Sequence, residues 1–282
     1  MKKIVSLILA LAMILACTAC GGSEQKSAAA PANRLESIKA KGYIEVATEP
    51  YFAPMEFIDP SKSGDEQYQG CDIKLMQAIA DELGVTLKIV PLDFAAVLSG
   101  ITTGKYDMAI SAIAYNPERA ENMNLSNVIQ ISDDGYGFLV RTEDLGKYQS
   151  PADLKDVIVA TQSGSVQQGL YNSDVKECKE LKLFSSMTDA YLAVQEGRAD
   201  VCICSTDSAA LYAEANGGKL AVDTFRFTID PNMNGTVVAL PKEGTDELME
   251  VVNKVVDQYR EDGTYNQWME EAKVQAKALG LE

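Results

Sequence analysis

The chain has 282 residues, of which 46% are hydrophobic, and its 41 acidic against 25 basic residues give a formal net charge of −16. That is ample apolar material for one large or two modest cores, and so acidic a chain argues against nucleic acid or an anionic membrane surface as the main partner. The sequence contains no histidine, which excludes Ser-His-Asp, Cys-His and histidine-zinc chemistry and leaves only carboxylates, Lys, Tyr or Arg for any reaction.

Lys2 and Lys3 precede an apolar run over residues 4–16. At that length it is too short to span a bilayer as a helix, so it reads as a secretory signal. The run ends in Leu15-Ala16-Cys17-Thr18-Ala19-Cys20-Gly21-Gly22, where small residues before a cysteine resemble a bacterial lipoprotein cleavage site. Cys20 is the preferred lipid acceptor. Cys17 is the alternative, because Ile14 stands three positions ahead of it. Residues 1–19 are then a lipoprotein signal peptide and 20–33, rich in Ala, Ser and Pro, a flexible tether. No other run is long enough to cross a membrane, so the expected location is extracytoplasmic, anchored to the cell membrane by lipid. The remaining cysteines, Cys71, Cys178, Cys202 and Cys204, show no C-x-x-C spacing. No disulfide, metal or cofactor is expected.

In chain order, 35–41 reads as a short helix and 43–48 as a strand that delivers Glu49-Pro50-Tyr51-Phe52-Ala53-Pro54-Met55-Glu56-Phe57, a loop stiffened by two prolines. A polar insertion over 59–69 follows. Gly70 then opens a helix to 83 with Leu75, Met76, Ile79, Ala80 and Leu83 on one face, capped by Gly84. A strand over 85–90, a helix over 94–105 and a strand from 107 lead into Ile110-Ser111-Ala112-Ile113-Ala114-Tyr115-Asn116-Pro117-Glu118-Arg119. Asn116 and Pro117 have the form of an N-cap and first helical residue, and the N–H groups before them are free to meet an anion. Arg119, one turn on, brings a planar fork of donors suited to a carboxylate.

The β-α-β-α-β order implies a parallel sheet with right-handed crossovers. The pattern then restarts with strands over 137–141 and 157–161, and Gly164-Ser165 opens a helix whose first N–H groups make a second anion site. A helix over 186–196, a strand over 201–204 on which Cys202 and Cys204 share a face, and a helix over 208–216 follow. A strand over 234–241 returns the chain to the first half, and helices over 245–260 and 263–276 close it.

These segments together resemble the amino-acid-type extracytoplasmic solute-binding proteins of ABC importers. Residues 110–119 resemble "ISGMTITPER", the loop from Glu49 resembles "TDATYPPFEF", and 70–83 resembles "G[FY]D[IV]DLAKAIAKEL". Gln162-Ser163-Gly164-Ser165 resembles "VQSGTT", residues 197–216 resemble "GRADAVAVDEPVAKAYVEAN", and 262–268 resembles "DGTYDKIYKKW". The resemblance implies a two-lobed α/β fold of the periplasmic-binding-protein type II class, with two crossover hinge strands and an interlobe cleft. Lobe 1 is expected over 34–137 and 238–282, and lobe 2 over 138–237. It further implies that Arg119 and the Ala114 N–H, with Ser165 and the Val166 N–H, hold the carboxylate of an amino acid or related ligand. Ser111, the Ala112 carbonyl and either Asp207 or Glu49 then face the ammonium, Phe52 and Phe94 flank the side chain, and Gln167 reads its end.

Two departures stand out. Phe52 and Glu49 replace a tyrosine and an aspartate of the loop pattern, which implies altered side-chain specificity. Ser205 replaces the aspartate that normally binds the α-ammonium, so that role falls to Asp207 or Glu49 unless the ligand lacks the group. The implied partners are a small amino acid or carboxylate, ABC permease subunits and the membrane through the lipid, with no nucleic acid and no enzymatic activity. The alternatives are a cyclohexadienyl-dehydratase-like enzyme on the same scaffold, which without histidine would need a carboxylic acid such as Glu49 as general acid, and an extracellular ligand sensor.

Overall fold

The computed structural model of the chain describes residues 33–131, 135–230, 233 and 235–281. The expected signal peptide, most of the tether, and both Cys20 and Cys17 lie outside the described residues. No helix among the described residues is long and apolar enough to cross a membrane.

The first lobe begins with α1 (Arg34–Lys41), capped by the Asn33 side chain accepting from Glu36 N at 3.1 Å. Strand β1 (Tyr43–Thr48) follows, then the short strands β2 (Phe57–Ile58) and β3 (Tyr68–Gln69) that bracket the polar insertion. The chain continues through α2 (Cys71–Leu83), β4 (Thr86–Pro91), α3 (Phe94–Thr102), β5 (Met108–Ala109), α4 (Pro117–Asn122) and β6 (Met123–Leu125). Strands β4 and β5 run parallel to β1 on either side, as the crossover pattern requires. Helix α3 stops at Thr102 rather than 105, because Gly104 turns left-handed at φ 70° and ends it.

After a passage through the second lobe, β14 (Ala239–Pro241) joins the first sheet antiparallel to β5 and β6, and α8 (Asp246–Glu261) and α9 (Thr264–Ala278) finish the chain. The apolar stripe of α2 packs on Leu248, Val252, Val255 and Val256 of α8 and on Tyr265 and Met269 of α9. Each fully buried aliphatic side chain there contributes about 1.5–3 kcal/mol. The exposed pairs Lys74–Glu271 and Lys254–Glu82 that also link these helices are worth only about 0–1 kcal/mol each, so the stripe holds the helices together.

The second lobe contains β8 (Tyr136–Arg141), β9 (Ile158–Gln162), α5 (Val166–Asp174), β10 (Glu180–Phe184), α6 (Met187–Gln195), β11 (Val201–Ser205), α7 (Thr206–Ala215) and β12 (Leu220–Arg226). Its sheet order is β10-β9-β11-β8-β12. Central strand β11 is buried on both faces. Cys202 and Cys204 pack with Met187 and Tyr191 of α6, while Val201 and Ile203 pack with Val166 and Leu170 of α5.

Between the sheets, β7 (Gln130–Ile131) pairs antiparallel with β13 (Gly235–Thr236). The single strand expected over 234–241 is therefore two pieces. Val238 N donates to the Ser126 hydroxyl at 2.8 Å, so a side chain carries the ladder across the break. Tyr136 and Gly137 pair with β11, so they belong to the second sheet and not, as the sequence reading had it, to lobe 1. The first crossing lies upstream, at β7.

Candidate functional site

A cavity of about 390 Å³ lies between the lobes, and all twelve residues singled out from the sequence line it: Glu49, Phe52, Phe94, Ser111, Ala112, Ala114, Arg119, Ser165, Val166, Gln167, Ser205 and Asp207. The reason is topological. Glu49, Ser111, Ser165 and Ser205 lie at or just past the carboxyl ends of β1, β5, β9 and β11, where open α/β sheets present ligand sites.

Arg119 sits at one corner, its guanidinium buried against Phe94 with 5.7 Å between its carbon and the ring centre. It donates to the Ala114 carbonyl at 2.6 Å within its own lobe and to the Gly164 carbonyl at 3.0 Å in the other. Burial lowers its pKa to about 10, which leaves it charged at neutral pH. Ala114 opposes Thr236 in an isolated antiparallel bridge, with the bonds Tyr115 N to Gly235 O and Val237 N to Ile113 O on either side. In that pairing Ala114's own N–H points away from the ladder.

Facing this corner, Ser165 caps α5. Its hydroxyl accepts from Gln168 N at 3.1 Å and donates to Gln162 O at 2.7 Å. The hydroxyl is thus engaged in the turn, and the first-turn N–H groups of Val166 and Gln167 are the donors left for an anion. Gly164 adopts φ 77°, and a Cβ there would lie 3.4 Å from Ala95 Cα in the opposite lobe. The turn needs glycine for its conformation, and the close approach of the lobes leaves little room for more.

The other corner is acidic. Glu49 N donates to Ser111 Oγ at 2.9 Å, tying the ends of β1 and β5 together, and the Ser111 hydroxyl donates to Glu56 Oε1 at 3.3 Å. Ala112 is held at φ 44°, a left-handed conformation uncommon for a residue with a Cβ, while its N–H donates to Asp72 Oδ2 at 2.9 Å. Tyr265 O–H closes on Asp72 Oδ1 at 2.6 Å. Gly70 lets this network form: a Cβ there would collide with the Met55 carbonyl oxygen, which accepts from Asp72 N at 3.0 Å.

Across the cleft, Gln162 Nε2 donates to Glu49 Oε2 at 3.3 Å, while Glu49 Oε1 and Glu56 Oε2 have no hydrogen-bond partner among the described residues. Burial pushes the Glu49 carboxyl up to about 8, against the Gln162 hydrogen bond that lowers it, with Asp189 and Asp93 adding to the rise. Burial, and then the nearby Asp72 and Glu49, raise Glu56 well above the carboxylate range. No ion pair among the described residues involves Glu49, Glu56 or Asp72.

Two further contacts bridge the lobes, Thr188 Oγ1 to Tyr51 O at 2.7 Å and Lys277 to Glu214 at 3.2 Å. Phe52, from the first lobe, packs against the second lobe's cluster around Tyr191. The cavity is also lined by residues that sequence reasoning did not select. Gln130 and Thr236 come from the crossing segments, whose two-residue strands have no readable period, and Tyr136 is the first residue of β8. Glu214, Met269 and Lys273 come from helix faces that only tertiary packing brings to the cleft. Gln162 and Glu56 were within reach, since both stand in the loops that carry the other site residues. Ser205, Asp207 and Gln167 sit on the cavity wall, the last of them buried.

Two α/β lobes joined by a pair of crossing strands, with a guanidinium and unpaired carboxyls facing one enclosed space, define a cleft-binding protein. The resemblance read from the motifs is borne out: the family model of the bacterial extracellular solute-binding proteins, family 3, matches residues 44–272, and the chain belongs to that family. The arginine-binding extracellular protein ArtP of Bacillus subtilis (strain 168) is 26% identical over 93% of this chain and 94% of its own length. A solved amino acid ABC transporter substrate-binding protein from Streptococcus pneumoniae Canada MDR_19A, bound to L-arginine, is 34% identical with a TM-score of 0.77, over 86% of this chain and 98% of that one. The ancestral amino acid-binding protein AncCDT-1, a precursor of cyclohexadienyl dehydratase, is 29% identical with a TM-score of 0.70, over 85% of this chain and 98% of that one.

Proposed function

We propose that this chain is the substrate-binding subunit of an ABC importer, capturing an amino acid between its lobes. In this reading it is anchored outside the cytoplasm by lipid on Cys20 and hands its ligand to permease subunits. The observation that carries the reading is the pairing of Arg119 at one corner of the cavity with unpaired carboxyl oxygens at the other, which matches the two opposite charges of an amino acid. Arg119, the Ala114 N–H and the turn at Ser165 and Val166 take the carboxylate. Ser111, the Ala112 carbonyl and Glu49 or Asp207 take the ammonium, while Phe52, Phe94 and Gln167 surround the side chain.

A charged hydrogen bond contributes about 1.5–3 kcal/mol, whereas micromolar affinity requires about 8 kcal/mol. One lobe is therefore insufficient, and both must close on the ligand. Closure about β7 and β13 converts the ligand's preference for the closed state into a population shift that a permease can read.

A thermal-shift screen of amino acids and their deaminated analogues tests this. A ligand at 100 times its Kd stabilises by about 2.7 kcal/mol. Loss of that shift in Arg119→Ala supports the assignment, and an unchanged affinity removes it.

One observation favours a second reading. Glu49, protonated at neutral pH by burial, is the general acid that a dehydratase without histidine would use. Turnover of prephenate or arogenate, in place of saturable binding, would establish it.

A further inference from the structure

Three carboxyl groups, Glu49, Glu56 and Asp72, lie in series at one wall of the cavity, with no ion-pair partner among the described residues. They are not equivalent. Asp72 is bound through both oxygens, to Tyr265 and to Ala112 N. Glu56 is fully buried and accepts a hydrogen bond from the Ser111 hydroxyl of its own lobe. Glu49 and Glu56 both line the space between the lobes and each keep one oxygen without a partner among the described residues, but Glu49 alone of the three is held by a donor from the opposite lobe.

A buried carboxylate without a cation is costly, so the group carries a proton until a cation arrives. The charged groups that act on it reinforce this: Asp189 of α6, Asp93 ahead of α3, and Glu56 are all acids. The cations lining the cavity make no ion pair with it, since Arg119 is turned to two carbonyl oxygens and Lys273 pairs with Glu270.

We propose that Glu49 receives the ammonium group of the incoming amino acid and releases its proton to solvent as it does so, so that capture exchanges one proton for one positive charge. This rests on the function proposed above and decides between the two acids that reading left open, in favour of Glu49 over Asp207. It also explains why the serine at position 205 is tolerated, since the charge is supplied from the other lobe. The Gln162 amide shares Glu49 Oε2 and leaves Oε1 for the ligand, so the lobe-to-lobe bond is kept when the proton leaves. Because the free value is about 8, the exchange operates across the neutral range. Below it, each unit of rising pH tightens binding by up to tenfold; above it, the dependence vanishes.

The test is isothermal titration calorimetry of the wild-type chain with L-arginine, L-lysine, L-histidine and L-glutamine, each in two pH 7 buffers of different ionisation enthalpy. For those that bind, close to one proton released per ligand is expected, with a Kd that falls as pH rises from 6 to 8. Glu49→Gln, which keeps the shape of the protonated acid and so preserves the fold, should release none, lose its pH slope and bind at least tenfold more weakly. Binding by the wild type without proton release, or an unchanged slope in Glu49→Gln, overturns the exchange while leaving the binding function in place. If none of the four binds, the amino-acid reading falls and this inference falls with it.

Discussion

Arg119 and Glu49 are both buried at the cleft, at 9% and 2% exposure, yet the guanidinium donates to two carbonyl oxygens whereas the carboxyl keeps one oxygen unpaired. Both groups have left water, and the consequences run in opposite directions. Arg119 stays charged because its donors are met by backbone in both lobes, so a carboxylate ligand must compete with bonds that already exist. Glu49 stays neutral because it is buried and only a neutral amide meets it, so a cation there gains against a group whose other oxygen has no partner among the described residues. A buried charge with partners shapes a site in advance, and one without partners holds interaction in reserve for the ligand.

The largest break in this comparison is Arg119→Ala. It removes the carboxylate partner and one interlobe bond together, and about 2–4 kcal/mol of ligand affinity should go with them, as for other fully buried charged anchors. Calorimetry with the best amino acid from the screen measures it. Arg119→Lys should recover only part, since a single ammonium cannot reproduce a planar fork that reaches two lobes.

Glu49→Gln comes next, and its signature is a dependence on pH. The folded value of about 8 lies above the ordinary 4.5, so the folded state holds the proton more tightly than the unfolded chain. That stability is complete below about 4.5 and is lost as pH rises through 8. The ligand-free wild type should therefore lose melting temperature between pH 5 and pH 8 relative to Glu49→Gln, with the gap widening across that window. A constant gap would mean that the carboxyl is ionised in the free protein.

Both corners were legible in the sequence for one reason: their residues stand in loops at strand ends, where turn chemistry and side-chain type are decided locally. Asn116 with Pro117, and Gly164 with Ser165, are signals of that kind, and the structure shows Asn116 and Ser165 acting as caps. What the sequence did not disclose was decided by packing. Strands β10 and β12 gave no usable alternation, and they are the two edges of the second sheet, where half-exposed residues such as Glu180, Lys182 and Thr224 interrupt the apolar pattern. The crossing pair β7 and β13 is too short for any period, so Gln130 and Thr236 were missed at the cavity, and Tyr136 lies one residue ahead of the strand expected from 137. The direct bonds between lobes, Arg119 to Gly164 and Gln162 to Glu49, join residues 45 and 113 positions apart. Local pattern carries no information about such pairs.

Gln162→Ala sharpens the contrast at smaller amplitude. It removes the hydrogen bond that lowers the Glu49 value and one of the contacts that close the cleft. A hydrogen bond of this kind contributes about 0.5–1.5 kcal/mol net. A Kd weakened about threefold to tenfold should follow, with the midpoint of the pH dependence moved upward. A midpoint that moved downward would show that Gln162 does not stabilise the ionised form.

The smallest effect isolates backbone from charge. Ala112 lies between the two corners, left-handed at φ 44°, with its N–H on Asp72 and no charge of its own. An L-residue held there costs about 1–2 kcal/mol, whereas replacing alanine by glycine frees the unfolded chain by about 0.4–1 kcal/mol. The two terms oppose each other, so Ala112→Gly should raise stability by about 0–1.6 kcal/mol, or about 1 kcal/mol near the middle of that range. Over a chain of this size that is a melting shift of about 2–4 °C. Affinity should move less than threefold if the Asp72 bond alone fixes the Ala112 carbonyl. A larger loss of affinity with a normal melting point would show instead that the methyl group, and not only the hydrogen bond, holds that carbonyl toward the cleft.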